Sequence, residues 1–311
     1  MPDLPLTIAI FGHGQWDALR DGTVKPKGIA PDISTPADVY ERMVRDLKYD
    51  VAEIATTTFL CARSFGIPIT AIPVFSNRDV TMSPIVYNVN SGIKKPRDLE
   101  GKRVGLRAWT VTNNTQARAL LKSEFGVDTD TIKWVVTEGA HVAQYQNPPN
   151  VAFAPEGRTL EELLKAGEID AGIQLRGQPE GDIRPLLTEE EANEAGLGFF
   201  RRTGIYPIGH VQTIKDETLR ANPWIAAELF HAFKASKDLY LAGLDERKDK
   251  NARDRQAIRN RELIGGDPFP FGVEKNRKAL DFMVQMNVEQ KIIPQPFDVD
   301  SLFAPGTLHL E

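Results

Sequence analysis

The strongest constraint on this chain is an alternation of two hydrophobic periods. Short apolar runs at 6–11, 50–55, 69–75, 85–89, 104–106, 132–136, 169–174 and 211–214 have the length and composition of buried strands. Between several of them lie helical stretches. One follows Thr35-Pro36, where Thr35 can cap and Pro36 suits a first turn, with Val39, Met43, Val44 and Leu47 as its apolar stripe. Others run from Thr56 through Arg63, up to about Phe125, and over 159–166. Strands separated by helices call for parallel sheets with crossover helices. In such sheets ligands lie off the carboxyl ends of the strands. Polar loops follow strands at 13–17, 56–58, 76–78, 107–112 and 174–176, which makes a small-ligand site the expectation.

At 311 residues the chain is too long for one small core. The texture changes near 85–105, where strand, Pro-marked short helix, glycine turn and strand follow in quick succession. The reading is a discontinuous first domain over 1–88 and 204–311, with a second α/β domain over 89–203 inserted into it. The segment 177–198 reads as an acidic loop with a short helix in its Glu-rich part. The charged segment 245–262 reads as a helix with a solvated face.

The return crossing is the stretch R-R-T-G-I-Y-P-I-G-H at 201–210. Gly204, Pro207 and Gly209 break any ordinary helix there. Arg201, Arg202, Tyr206 and His210 together can bind an anion and move a proton.

Several function classes are excluded. A net charge of -5 and a pI near 5.7 give no basic field for nucleic acid. No run of 18 apolar residues exists to span a membrane, and the first residues carry no leader pattern. The single cysteine, Cys61, rules out a disulfide framework and reads as a buried, inert thiol. Gly12 and Gly14 fail as a dinucleotide fingerprint because position 17 is Asp. His13, His141, His210, His231 and His309 are scattered, so no metal is expected. Homo-oligomerisation is left open.

Several blocks resemble the 4,5-dihydroxyphthalate decarboxylase family. They are D-G-T-V-K-P-K-G-I at 21–29, D-V-A-E-I at 50–54, A-I-P-V-F-S-N-R at 71–78, R-R-T-G-I-Y-P-I-G-H-V at 201–211, N-P-W-I-A at 222–226, P-F-G-V-E-K-N-R-K-A-L at 270–280 and L-F-A-P at 302–305. The segment S-G-I-K-K-P-R-D-L-E-G-K-R-V-G at 91–105 is similar to its counterpart in type 2 periplasmic solute-binding proteins. The resemblance implies a two-domain type 2 periplasmic-binding-protein-like α/β fold with a ligand cleft between domains. It also implies a cytoplasmic protein and loss of CO2 from a dihydroxylated aromatic acid without an organic cofactor. Two loops depart from the family pattern: G-H-G-Q-W-D stands at 12–17, and Thr81 and Met82 replace an expected Arg and His.

Decarboxylating a hydroxylated benzoate needs a cation for a carboxylate, a partner for a phenol and an acid facing the ring. On that basis His210 is the expected proton donor and His13 the phenol partner. Arg78 and Arg107 are the expected carboxylate ligands, with Arg176 and Arg202 in reserve. Trp109 can stack on the ring, Thr57 and Thr112 can bind oxygens at helix starts, and Tyr206 completes the binding set. The duller alternatives are a salt bridge for Arg78 or Arg202, a core position for Trp109, and structural roles for both histidines. A solute-binding protein for a small aromatic carboxylate has the same fold without the chemistry.

Overall fold

The computed structural model describes residues 2–177, 179–247 and 249–311. In chain order its strands are β1 (Leu4–Ala9), β2 (Ile29–Ser34), β3 (Val51–Ala55), β4 (Ile69–Ser76), β5 (Ile85–Asn88), β6 (Arg103–Leu106), β7 (Lys133–Val136), β8 (Val151–Phe153), β9 (Ala171–Ile173), β10 (Ile183–Pro185) and β11 (His210–Lys215). Its α-helices are α1 (Asp17–Arg20), α2 (Val39–Asp46), α3 (Thr56–Ser64), α4 (Thr112–Phe125), α5 (Leu160–Lys165), α6 (Glu189–Thr203), α7 (Asp216–Ala221), α8 (Ile225–Gly243), α9 (Ala252–Ile264) and α10 (Val273–Glu289). No described helix is long and apolar enough to cross a membrane. The chain forms two compact units, one of residues 1–79, 206–285 and 295–311, the other of residues 80–205 and 286–294.

The first unit is built on a five-stranded sheet in the order β2-β1-β3-β11-β4. β1 runs parallel to β2 and β3, while β11 lies antiparallel between β3 and β4. All five residues of β3 are buried, as a central strand covered on both faces requires. Helix α8 supplies Phe230 and Phe233 to the core, where Trp16 meets Phe233 edge-on with ring centroids 4.9 Å apart. Burying side chains of this size contributes about 1.5–3 kcal/mol each. Cys61 lies inside α3, and burial pushes its thiol up to about 12.

The second unit carries a six-stranded sheet in the order β10-β5-β9-β6-β7-β8. Leu160, Leu163 and Leu164 of α5 pack with Ile169 and Ile183 on its face. The opening strand of this sheet, β5, pairs with β9 and β10, so residues 85–88 belong here rather than to the first domain. Nine residues near the C-terminus, 286–294, also belong to the second unit. Long-range pairing fixes both assignments, and linear sequence does not carry it.

Two further expectations change. The short helix expected in the Glu-rich part of 177–198 is longer, the 15-residue helix α6, which runs on to Thr203 and is opened by a capping box between Thr188 and Glu191. Arg201 and Arg202 therefore sit in the last turn of that helix, and Gly204, at φ 69°, closes it. Helix α2 starts at Val39 with Asp38 before it, three residues later than Thr35-Pro36 implied.

Candidate functional site

The site is organised by a carboxylate in the middle of a buried strand. Glu53 is fully buried in β3, and among the described residues five donors converge on its two oxygens. Oε1 accepts from His13 Nε2 at 2.9 Å, His210 Nδ1 at 2.9 Å and Ser76 Oγ at 2.5 Å. Oε2 accepts from Trp16 Nε1 at 3.0 Å and the Phe11 amide at 3.2 Å. A buried charge survives only when its lone pairs are filled in this way. Burial alone would raise the Glu53 carboxyl, but the charge and hydrogen bonds of His13 and His210 outweigh it and hold the group well below the ordinary range.

The topology explains the convergence. His13 follows β1, Ser76 ends β4, and His210 opens the antiparallel β11, so all three reach the edge where the parallel strands end. His210 pairs with Ala55 on one side and Ser76 on the other. Gln212, two residues on, lies directly opposite Glu53. The side chains of Gln212 and Gln15 are buried, and their amide atoms have no hydrogen-bond partner among the described residues.

The outer partners set the proton positions. Arg253 Nη1 donates to His13 Nδ1 at 3.0 Å, which leaves the ring proton on Nε2, facing Glu53. Asn77 Nδ2 lies 3.2 Å and Tyr40 Oη 2.8 Å from His210 Nε2. The Asn77 amide can only donate, so Nε2 accepts and His210 carries its proton on Nδ1, again toward Glu53. Both imidazoles thus turn an N–H toward Glu53, with rings 6.0 Å apart, and share one anion. Burial pulls the His210 imidazolium below its ordinary pKa, more than Glu53 raises it.

The ligand-capable atoms of His13, Glu53 and His210 all lie within 4.8 Å of one another, so a metal deserves a test. A metal-bound imidazole turns its second nitrogen, carrying a proton, toward an acceptor. Here an arginine N–H points at that nitrogen of His13 and an amide N–H at that of His210. The partners suit proton transfer and oppose metal ligation.

The other expected residues are placed differently. Arg78 is buried, and its Nε, Nη1 and Nη2 donate to the carbonyls of Pro207, Pro270 and Tyr206 and to Asn276 Oδ1. Its guanidinium lies 4.2 Å from the Tyr206 ring centroid, and burial pulls its pKa down to about 10. It clamps the 206–207 segment to the C-terminal helices, with four of its five N–H groups committed to these partners. Tyr206 is likewise buried, its hydroxyl donating to Pro268 O at 3.0 Å and accepting from Asn260 Nδ2 at 3.1 Å. Thr57 is buried in the first turn of α3.

Arg107, Trp109, Thr112, Arg176 and Arg202 belong to the second unit. Arg107 is exposed, 3.5 Å from Glu138. Arg202 is held by both oxygens of Glu124, at 2.9 and 2.6 Å. Trp109 is a core residue: Arg118 stacks 3.6 Å from its ring, Trp134 meets it edge-on, and its Nε1 donates to Gln290 O. Thr112 is buried at the start of α4, and Arg176 is exposed, its backbone amide bound to Glu161.

Of the expected residues the structure thus brings His13 and His210 together, around Glu53, Tyr40, Asn77 and Arg253, which sequence reasoning did not single out. Glu53 had a signal: a lone carboxylate in an otherwise apolar central strand is costly unless something holds it.

Known proteins agree with this architecture. Residues 21–174 match a family model described as NMT1/THI5 like. The chain is 27% identical to a 4,5-dihydroxyphthalate decarboxylase from Comamonas testosteroni, over 99% of this chain and 98% of that one. It is 29% identical to a protein of the same name from Pseudomonas putida, over 57% of this chain and 72% of that one. Its fold is similar to the periplasmic aliphatic sulphonate binding protein SsuA from Escherichia coli, with a TM-score of 0.55, 13% identity and 99% of both chains covered. The chain is therefore similar over nearly its whole length to a protein named 4,5-dihydroxyphthalate decarboxylase, and it is built on a two-domain periplasmic-binding-protein-like fold.

Proposed function

We propose that this chain is a non-oxidative decarboxylase of a hydroxylated aromatic carboxylic acid, 4,5-dihydroxyphthalate or a close relative. The observation that carries the reading is the buried Glu53 carboxylate bound to His210 Nδ1 and His13 Nε2, in a chain similar over nearly its whole length to a protein named 4,5-dihydroxyphthalate decarboxylase. His210 Nε2 is the proton-transfer atom. Glu53 on the opposite nitrogen stabilises the imidazolium that forms when Nε2 takes up a proton. A dianionic substrate beside that nitrogen raises its proton affinity, so the acid is loaded where it is used.

His210 then delivers the proton to the ring carbon bearing the leaving carboxylate, while a phenol oxygen para to it pushes electrons in. A C–H bond forms, the C–C bond to the carboxylate breaks, its pair returns to the ring and CO2 leaves. One proton is consumed and comes back from solvent through His210. His210 faces neutral partners, Tyr40 and Asn77, at its second nitrogen, whereas His13 faces the cationic Arg253 there, which opposes a proton on that nitrogen.

Binding without chemistry is the second reading, favoured by a fold shared with a solute-binding protein. CO2 release from 4,5-dihydroxyphthalate and related dihydroxybenzoates separates the two. The wild type is expected to release CO2, and His210→Asn to lower turnover ~10²-fold or more while keeping affinity. Tight binding with no CO2 from any of these acids selects the second reading. Near-normal turnover in His210→Asn removes that residue from the role.

A further inference from the structure

An acid with two carboxylates needs a cation beside the proton-transfer pair, and the arginines around the first unit's site are mostly committed elsewhere. Arg78 is spent on carbonyls. Arg20 and Arg247 both bind Asp17, and Arg259 lies 3.6 Å from Asp79. Arg253 differs. It is exposed, and its contact is with an imidazole nitrogen, His13 Nδ1, rather than with a carboxylate. No carboxylate among the described residues pairs with it. Its charge nonetheless reaches the site, where it lowers the pKa of His210.

Its position sharpens the point. Arg253 is the second residue of α9, whose cap is Asn251. A cation in the first turn of a helix opposes the helix dipole, and acidic residues are favoured there. A residue that breaks a local rule beside a functional cluster calls for a compensating ligand. An anion bound there meets both the guanidinium fork and the positive helix end.

We propose that Arg253 anchors a substrate carboxylate, and that the carboxylate it holds is the one retained in the product. The leaving carboxylate becomes neutral CO2, so a strong cation on it would stabilise the ground state and slow the reaction. The retained carboxylate keeps its charge throughout and can be held without that penalty. The substrate class is then a vicinal aromatic dicarboxylate, one carboxylate on Arg253 and its neighbour facing His210. The choice of carboxylate rests on the decarboxylase reading; the anchor itself does not.

The test is titration calorimetry of the full chain with phthalate, which lacks the electron-donating hydroxyls, and with catechol, which lacks the carboxylates. Arg253→Gln is expected to weaken phthalate binding by about tenfold or more and to leave catechol unchanged. Arg253→Lys, which keeps charge but loses the fork, is expected to fall between. Equal weakening of both ligands would show a structural effect through His13 and overturn the proposal. So would unchanged phthalate affinity in Arg253→Gln, or no phthalate binding by the wild type. CO2 assays separate this from the functional reading. Arg253-dependent phthalate binding without CO2 sinks the decarboxylase and keeps the anchor, whereas CO2 release by Arg253→Gln at unchanged KM does the reverse.

Discussion

Glu53 is the residue whose removal tests the most. Its two oxygens accept from five groups, so an amide in its place turns an NH2 toward donors on at least one side. Glu53→Gln is expected to cost roughly 2–4 kcal/mol of stability, the range for breaking a buried, hydrogen-bonded charge. Turnover should fall by about 10²-fold or more, because His210 loses the anion that supports its imidazolium. Urea unfolding and steady-state kinetics read the two effects, and retained turnover in a stable Glu53→Gln protein would contradict the role given to it. At this scale the sequence was half legible. Imidazoles stand out because few side chains titrate near neutrality, so His13 and His210 could be chosen without a structure. The carboxylate between them lies inside D-V-A-E-I, where the apolar pattern that identifies the strand hides it. Arg78 looked like a ligand because a guanidinium fits a carboxylate. Only the fold reveals that backbone carbonyls and Asn276 take four of its five donors.

The elements that place these residues are tied together by close backbone approaches. Thr56 Oγ1, at the β3–α3 junction, donates to the carbonyls of Ile208 and Gly209 at 2.9 and 3.0 Å. A Cβ on Gly209 would lie 2.1 Å from the Asn77 carbonyl oxygen. Asn77 is itself left-handed, at φ 52°, and its amide touches His210 Nε2. The glycine therefore lets β11 begin hard against the end of β4 and brings His210 to Glu53. Gly209→Ala must push the two segments apart, at about 1–3 kcal/mol for overpacking. Activity should fall by more than that loss implies, because the displaced residue is His210 itself. Thermal melting and turnover measured together check this; a variant with a lowered Tm and normal turnover would mean that the junction does not position the histidine. The glycines and proline of 201–210 marked this crossing in sequence. The charged stretch 245–262 gave no such mark. Its helix buries Asp254, Ala257 and Asn260 and sets Arg253 on His13, yet a solvated face and a site-lining face have the same composition when polar groups serve both.

Over the whole molecule, strand and helix alternation made the two-sheet architecture readable, while pairing partners such as β5 with β9 were not. The same architecture makes acid sensitivity uneven. His210 and Glu53 are both in the first unit, and both have folded pKa values below their ordinary 6.5 and 4.5. For each group the unfolded chain holds the proton more tightly, so unfolding takes up protons and stability falls as pH falls. The His210 contribution is complete above 6.5 and erodes as pH drops through that value toward the folded pKa. The Glu53 contribution is complete above 4.5 and erodes below it. In the second unit Asp170 and Glu124 are also lowered, by Arg103 and Arg202 respectively, but both are less enclosed than Glu53 and solvent screens their effect. Hydrogen exchange followed from neutral pH downward should therefore show β3 and β11 losing protection before β6 and β7. In His210→Asn the loss that begins near 6.5 should disappear while the loss below 4.5 remains, and Glu53→Gln should suppress the lower step. Simultaneous loss of protection in both sheets, unchanged by either substitution, would show that acid acts on the chain through groups other than this pair.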